Sequence, residues 1–159
     1  MQYSLDTASI KASLDILALK HERIARAVAQ VGYPEERRRT HSFATLARIV
    51  VGQQISVSAA TSVNTKLLAS LGGDLTAEAV LRADETTLRS AGLSRQKVEY
   101  MRCLATAEAT QVLSLKALPR LSDDEAIRAI TQIKGFGDWS AHMYLMFSLG
   151  RPNIWPVGD

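Results

Sequence analysis

"LSDDEAIRAITQIKGFGDWSAHMYLMFSLG", residues 121–150, is the most organised segment of the chain. Ser122 precedes Glu125 by three, the spacing of a capping box, in which the serine hydroxyl accepts from the glutamate amide and the glutamate accepts in return. That pair predicts a helix launched at Ser122 and running to about Thr131. Gly135 and Gly137, on either side of Phe136, predict a tight turn, and a second helix follows from about Asp138 to Leu149. The turn and the first turn of that second helix put unpaired backbone amides on one corner, where they can surround a phosphate oxygen. Glycine lets the phosphate come close, and Lys134 adds a cation beside it. Carbonyls on the other side of the turn, those of Ile133 and Gly135, are candidate ligands for a monovalent cation, Na+ or K+. Asp138 is read as a cap of the second helix, where its charge suits the dipole.

Beyond the second helix lies "GRPNIWPVGD", residues 150–159. A helix from Asp138 to Leu149 is about 18 Å long, and ten further residues can span roughly 33 Å. Pro152 and Pro156 forbid continuation of the helix, so the segment can return alongside it and bring Asp159 toward its first turns. Trp139 and Met143 lie four apart there, on one face. An aromatic face, a soft apolar side chain and a carboxylate suit a flat group carrying positive charge. On the residues alone, Met143 and Phe147 read more readily as a core stripe.

Upstream, apolar positions return at threes and fours and nothing alternates long enough to require a strand, so the fold class is all-α. Residues 1–40 hold one or two helices ending near Gly32, then the loop "YPEERRRTH", read as exposed with its charges compensated locally. Residues 41–159 form the larger helical lobe. In it a helix from Ser42 breaks at "GQQIS", resumes after Ser56 and ends at Gly72 and Gly73; Thr76 and Asp84 begin two short helices and Ser94 a longer one. His142 is read as structural, and Arg95 and Lys97 as solvated helix charges. The expected arrangement is eight or nine helices in two lobes with a cleft between them and the hairpin corner exposed.

The 159 residues are 47% apolar and only 6% aromatic, with a formal charge of +3. Such filling suits close-packed helices, and the charge is compatible with a nucleic-acid partner without demonstrating one. A single cysteine, Cys103, makes neither an internal disulfide nor a metal cluster by itself, which points to a reducing compartment. The N-terminus carries no signal-peptide pattern and no apolar run approaches a membrane span. A monomeric cytoplasmic protein with no membrane partner is expected.

Three ordered blocks, "ARIVVGQQISVSAA" (47–60), "LRSAGLSRQKVEYMRCLA" (88–105) and the hairpin with its Gly/Pro-rich loop and Asp159, resemble the helix-hairpin-helix DNA glycosylases, and more closely the bacterial 3-methyladenine DNA glycosylase II branch. The resemblance implies that Asp159 is the catalytic aspartate, that Trp139 and Met143 line the base pocket, that Gln54 is the wedge filling the gap left by the extruded nucleotide, and that Gly135 and Gly137 grip backbone phosphate. Trp139 stands where strand-cleaving relatives carry a Schiff-base lysine, so lyase chemistry is not expected. In relatives the chain continues past this aspartate into further helices, so the resemblance leads to the expectation that the 159 residues lack those C-terminal helices.

The resemblance therefore implies a monofunctional glycosylase that releases alkylated purines such as 3-methyladenine from double-stranded DNA in base excision repair, with no cofactor beyond the Na+ or K+ at the hairpin. Two alternatives are a glycosylase for neutral damaged bases and a noncatalytic helix-hairpin-helix DNA-binding module.

Overall fold

The computed structural model describes residues 5–156. Nine α-helices occupy the described residues: α1 (Thr7–Lys20), α2 (Glu22–Val31), α3 (Phe43–Gly52), α4 (Val57–Ser70), α5 (Ala77–Arg82), α6 (Glu85–Ser90), α7 (Arg95–Ala109), α8 (Asp123–Thr131) and α9 (Asp138–Phe147), with a single 3-10 turn at Leu118–Arg120. The helix starts follow side-chain chemistry. Ser42, Ser56, Thr76, Asp84 and Ser94 each accept from the amide three residues on, satisfying one of the donors that a helix start leaves without an internal partner. The capping box of Ser122 and Glu125 forms in both directions.

Leu46, Ala47, Val50 and Val51 of α3, Val98, Met101, Leu104 and Ala105 of α7, Ile130 of α8, and Ala141, Tyr144 and Leu145 of α9 make the centre of one apolar core. Each helix contributes a stripe at threes and fours, as expected for a face turned inward. Around that centre α5 and α6 lie on α7, α4 on α3, and α8 on α9. Helices α1 and α2 pair with each other as a smaller lobe and contain no fully buried residue. Ile16, Leu19 and Val31 of this pair are exposed.

Polar contacts fix α9 within the larger lobe. The Tyr144 hydroxyl, wholly buried, lies 2.8 Å from Nδ1 of His41. The other ring nitrogen of His41, Nε2, is 2.8 Å from the Leu115 carbonyl oxygen. A carbonyl only accepts, so Nε2 carries the ring proton and Nδ1 accepts from Tyr144. Past the helix, Arg151 donates to Asp123 and to the carbonyls of Leu118 and Leu121. The basic loop is exposed, but its groups engage distant partners: Glu36 accepts from Thr7, and the Arg39 amide donates to the Phe147 carbonyl at 2.7 Å.

Two sequence expectations about the hairpin need correction. Helix α9 ends at Phe147, not Leu149. Its N-cap is Gly137, with no side-chain capping bond, and Asp138 is the first helical residue rather than the cap.

Candidate nucleic-acid interface and base pocket

The hairpin between α8 and α9 is built on two glycines that serve different purposes. Gly135 has φ of +92°, and a Cβ there would lie 2.2 Å from Cγ of the Tyr100 ring. Only glycine satisfies both the left-handed backbone and the close packing on α7. Gly137 has an ordinary φ of −100° and nothing within 4 Å of where a Cβ would stand. The fold itself makes no demand for glycine at 137. A bare backbone beside the uncapped start of α9 leaves room for an external acceptor to approach.

Lys134 is not a lone cation at this corner. Its ammonium pairs with Glu99 at 2.5 Å, both side chains being largely exposed, and this hydrogen bond holds the lysine pKa above its usual value. Of the two carbonyls considered for a cation, that of Ile133 accepts from the Phe136 amide at 3.0 Å. The Gly135 carbonyl accepts from Nε2 of Gln53 at 2.8 Å.

The break between α3 and α4 is a β-turn. Gln53 has φ −57° and ψ 127°, Gln54 has φ +58°, and the Ile55 amide reaches the Gly52 carbonyl at 3.4 Å. These are type II values, and a type II turn favours glycine or asparagine at its third position. Gln54 occupies that position in the left-handed region, at a cost of about 1 kcal/mol. Its side chain is exposed, so packing within the fold does not explain why a long side chain is carried there. Ile55 and Val57 beside it are also exposed. Lys97, read from sequence as a solvated charge, instead donates to the Val51 carbonyl at 2.6 Å and caps the end of α3. Its partial burial lowers its pKa.

Trp139, Met143 and Phe147 lie on successive turns of one face of α9 and line a cleft of about 320 Å³. Across from them stand Ile49 of α3, Ile55 and Val57 at the turn, and Ala60 and Asn64 of α4. Met143 and Phe147 are therefore not members of the closed core, contrary to the reading from the residues alone, because the face of α9 opposite Tyr144 and Leu145 meets open space rather than another helix. Arg39 and Arg48 line the same cleft, and for Arg39 this is a position that the reading of residues 35–39 as a plain exposed loop missed. His142, next to Met143, is half-buried, and its buried Nδ1 has no hydrogen-bond partner. Asp159 lies outside the described residues.

The structure thus brings the apolar cleft, the glycine hairpin and the strained turn together around α9. Gln53, which ties this turn to the hairpin carbonyl, is the residue that sequence reasoning passed over. The signal available was the doublet Gln53-Gln54 at a helix break, which does not say by itself which side chain turns inward. No helix among the described residues is long and apolar enough to cross a membrane.

Comparison with known proteins gives one consistent result. The family described as "HhH-GPD superfamily base excision DNA repair protein" matches residues 47–159. DNA-3-methyladenine glycosylase 1 of Schizosaccharomyces pombe is 28% identical over 158 residues, which is 96% of this chain and 69% of the relative. Among solved structures, a DNA-3-methyladenine glycosidase from Bacillus halodurans superposes with a TM-score of 0.79 at 31% identity, covering 89% of this chain and 65% of the other. The S. pombe 3-methyladenine DNA glycosylase in complex with abasic DNA also gives a TM-score of 0.79, at 31% identity, covering 87% of this chain and 70% of the other. The chain thus spans about two thirds of the length of these relatives, and its all-α, two-lobed architecture is theirs.

Proposed function

The chain belongs to the HhH-GPD superfamily of base excision DNA repair proteins, and from that premise we propose that it is a monofunctional DNA glycosylase that hydrolyses the N-glycosidic bond of alkylated purines such as 3-methyladenine in duplex DNA. The observation that carries this reading is the cleft along Trp139, Met143 and Phe147, which opens beside both the glycine hairpin and the exposed Gln54 turn. A base can enter such a cleft only after leaving the stack, at a cost of a few kcal/mol, and a side chain at the strained turn is positioned to fill the gap.

In this reading Gly137 and the start of α9 hold backbone phosphate, and the extruded base stacks on Trp139 against Met143. An alkylated purine is already cationic, so it departs as a neutral base with the electrons of the C1′–N bond. Asp159, as carboxylate, stabilises the oxocarbenium-like sugar and takes the proton of the water that attacks C1′. The product is an abasic sugar. No lysine stands at position 139 to trap that sugar as a Schiff base, so the strand stays intact. A monovalent cation at the hairpin fits the same reading in part. The Ile133 and Gly135 carbonyls each accept one hydrogen bond and keep one lone pair for it. Bound there, the ion would supply positive charge beside the phosphate.

The test is base release from methylated duplex DNA, followed by chromatography, for the wild type and Asp159→Asn. The wild type is expected to release 3-methyladenine without strand cleavage. The amide variant is expected to bind DNA equally and lose most of that release, since it carries no negative charge for the transition state. Equal release by both proteins would remove Asp159 from catalysis. Binding without release on any damaged duplex would favour a noncatalytic DNA-binding module.

A further inference from the structure

Gln53 joins the two parts of the proposed DNA interface. Its Nε2 donates to the Gly135 carbonyl at 2.8 Å and reaches Oγ of Ser140 at 3.5 Å. One amide group thus spans the hairpin, from the loop carbonyl to the first turn of α9. Both acceptors are held firmly. Gly135 is closed against the Tyr100 ring, and Ser140 is 3% exposed. Just ahead of the turn, the Lys97 ammonium fixes the Val51 carbonyl at 2.6 Å.

Directly after these two fixed points in the chain comes Gln54, at φ +58°. A non-glycine residue keeps a left-handed backbone only where its surroundings over-determine it. The bond from Gln53 to the hairpin is the constraint immediately preceding it in the chain. Without that bond, the long 3.4 Å contact from the Ile55 amide to the Gly52 carbonyl is left to hold the turn, and the peptide between residues 53 and 54 can rotate out of the type II arrangement, swinging the Gln54 side chain with it. Resting on the glycosylase reading above, we propose that Gln53 is a positioning residue that sets where the Gln54 wedge stands relative to the phosphate-holding hairpin, so that a strand gripped at Gly137 presents its gap to Gln54 in register.

The experiment uses the full chain and two duplexes: an undamaged one, and one with a stable abasic analogue flanked by 2-aminopurine, whose fluorescence reports insertion at the gap. Gln53→Met keeps length and volume but removes the donor, and Gln53→Glu turns a carboxylate toward a carbonyl. Affinity for the undamaged duplex and its salt dependence are expected to be unchanged in Gln53→Met, because phosphate contacts set both. The insertion equilibrium is expected to fall roughly tenfold in Gln53→Met, the effect of losing one hydrogen bond, and further in Gln53→Glu. Base release should show the same loss in kcat rather than in KM. Thermal unfolding of each variant separates this from misfolding. Insertion equal to wild type in a folded Gln53→Met would overturn the proposal, as would a parallel fall in insertion and in undamaged-duplex affinity. If the wild type itself gives no insertion signal at the abasic site, the wedge reading of Gln54 fails instead.

Discussion

Nη1 of Arg151 stands 2.6 Å from Oδ1 of Asp123, and the same guanidinium reaches the carbonyls of Leu118 at 3.1 Å and Leu121 at 2.6 Å. The first residue beyond Gly150 is thereby fastened to the start of α8. The Arg151 side chain is only 14% exposed, whereas that of Asp123 is 43% exposed. Arg151→Met should therefore cost about 2–3 kcal/mol, since two carbonyls lose a charged donor. Asp123→Asn should cost under about 1 kcal/mol, because solvent already screens the carboxylate. Urea unfolding of the two variants checks the asymmetry; equal losses would contradict it.

The two hairpin glycines should separate stability from DNA binding. Gly135→Ala drives a methyl into the Tyr100 ring and strains a left-handed backbone, so a loss of at least about 2 kcal/mol is expected. Gly137→Ala meets open space and should stay within about 1 kcal/mol of wild type. Gly137→Leu, equally unhindered by the fold at its Cβ, should weaken binding to all duplexes alike. Unfolding curves and filter binding on two unrelated sequences measure these; undiminished binding by folded Gly137→Leu would take the hairpin out of the footprint.

Gln54→Gly exchanges a strained side chain for the residue a type II turn prefers. Relief of about 1 kcal/mol is partly offset by the greater freedom of glycine in the unfolded chain. Stability should be unchanged or slightly raised, while base release falls. A stability loss above about 1 kcal/mol would show that the side chain supports the fold rather than the DNA.

Tyr144 gives an alkaline signature. Burial, above all, holds its hydroxyl protonated well beyond the usual tyrosine range. Above about pH 10 the unfolded chain releases this proton and the folded chain keeps it. The folded state then binds more protons, so stability falls as pH rises, by at most about 1.4 kcal/mol per pH unit from this group; below about pH 10 its contribution is constant. Tyr144→Phe should be about 1–2 kcal/mol less stable at neutral pH, because Nδ1 of the part-buried His41 loses its donor, and should show a shallower alkaline decline. Urea midpoints between about pH 8 and 11 test both; identical slopes would mean that the phenol ionises without unfolding.

Much of the fold was legible because the controlling chemistry is local. Caps at Ser42, Ser56, Thr76, Asp84, Ser94 and Ser122 act within one helical turn, so the residues themselves mark where the helices begin. The hairpin was legible for the same reason, as two glycines between periodic segments, and Trp139 with Met143 could be assigned to one face by spacing alone. Tertiary packing decided what spacing could not. Whether Met143 and Phe147 are core or cleft depends on what lies opposite α9, and only the assembled helices leave that face open. Gln53 and Gln54 are the same residue type side by side. One bonds to a carbonyl 82 positions away in the chain and the other points to solvent, and no local rule separates them. The contacts of Lys97 with Val51, of Lys134 with Glu99 and of Arg151 with Asp123 likewise join segments far apart in sequence. Helix periodicity and capping are short-range and written residue by residue; the pairing of distant polar groups exists only once the chain has closed on itself.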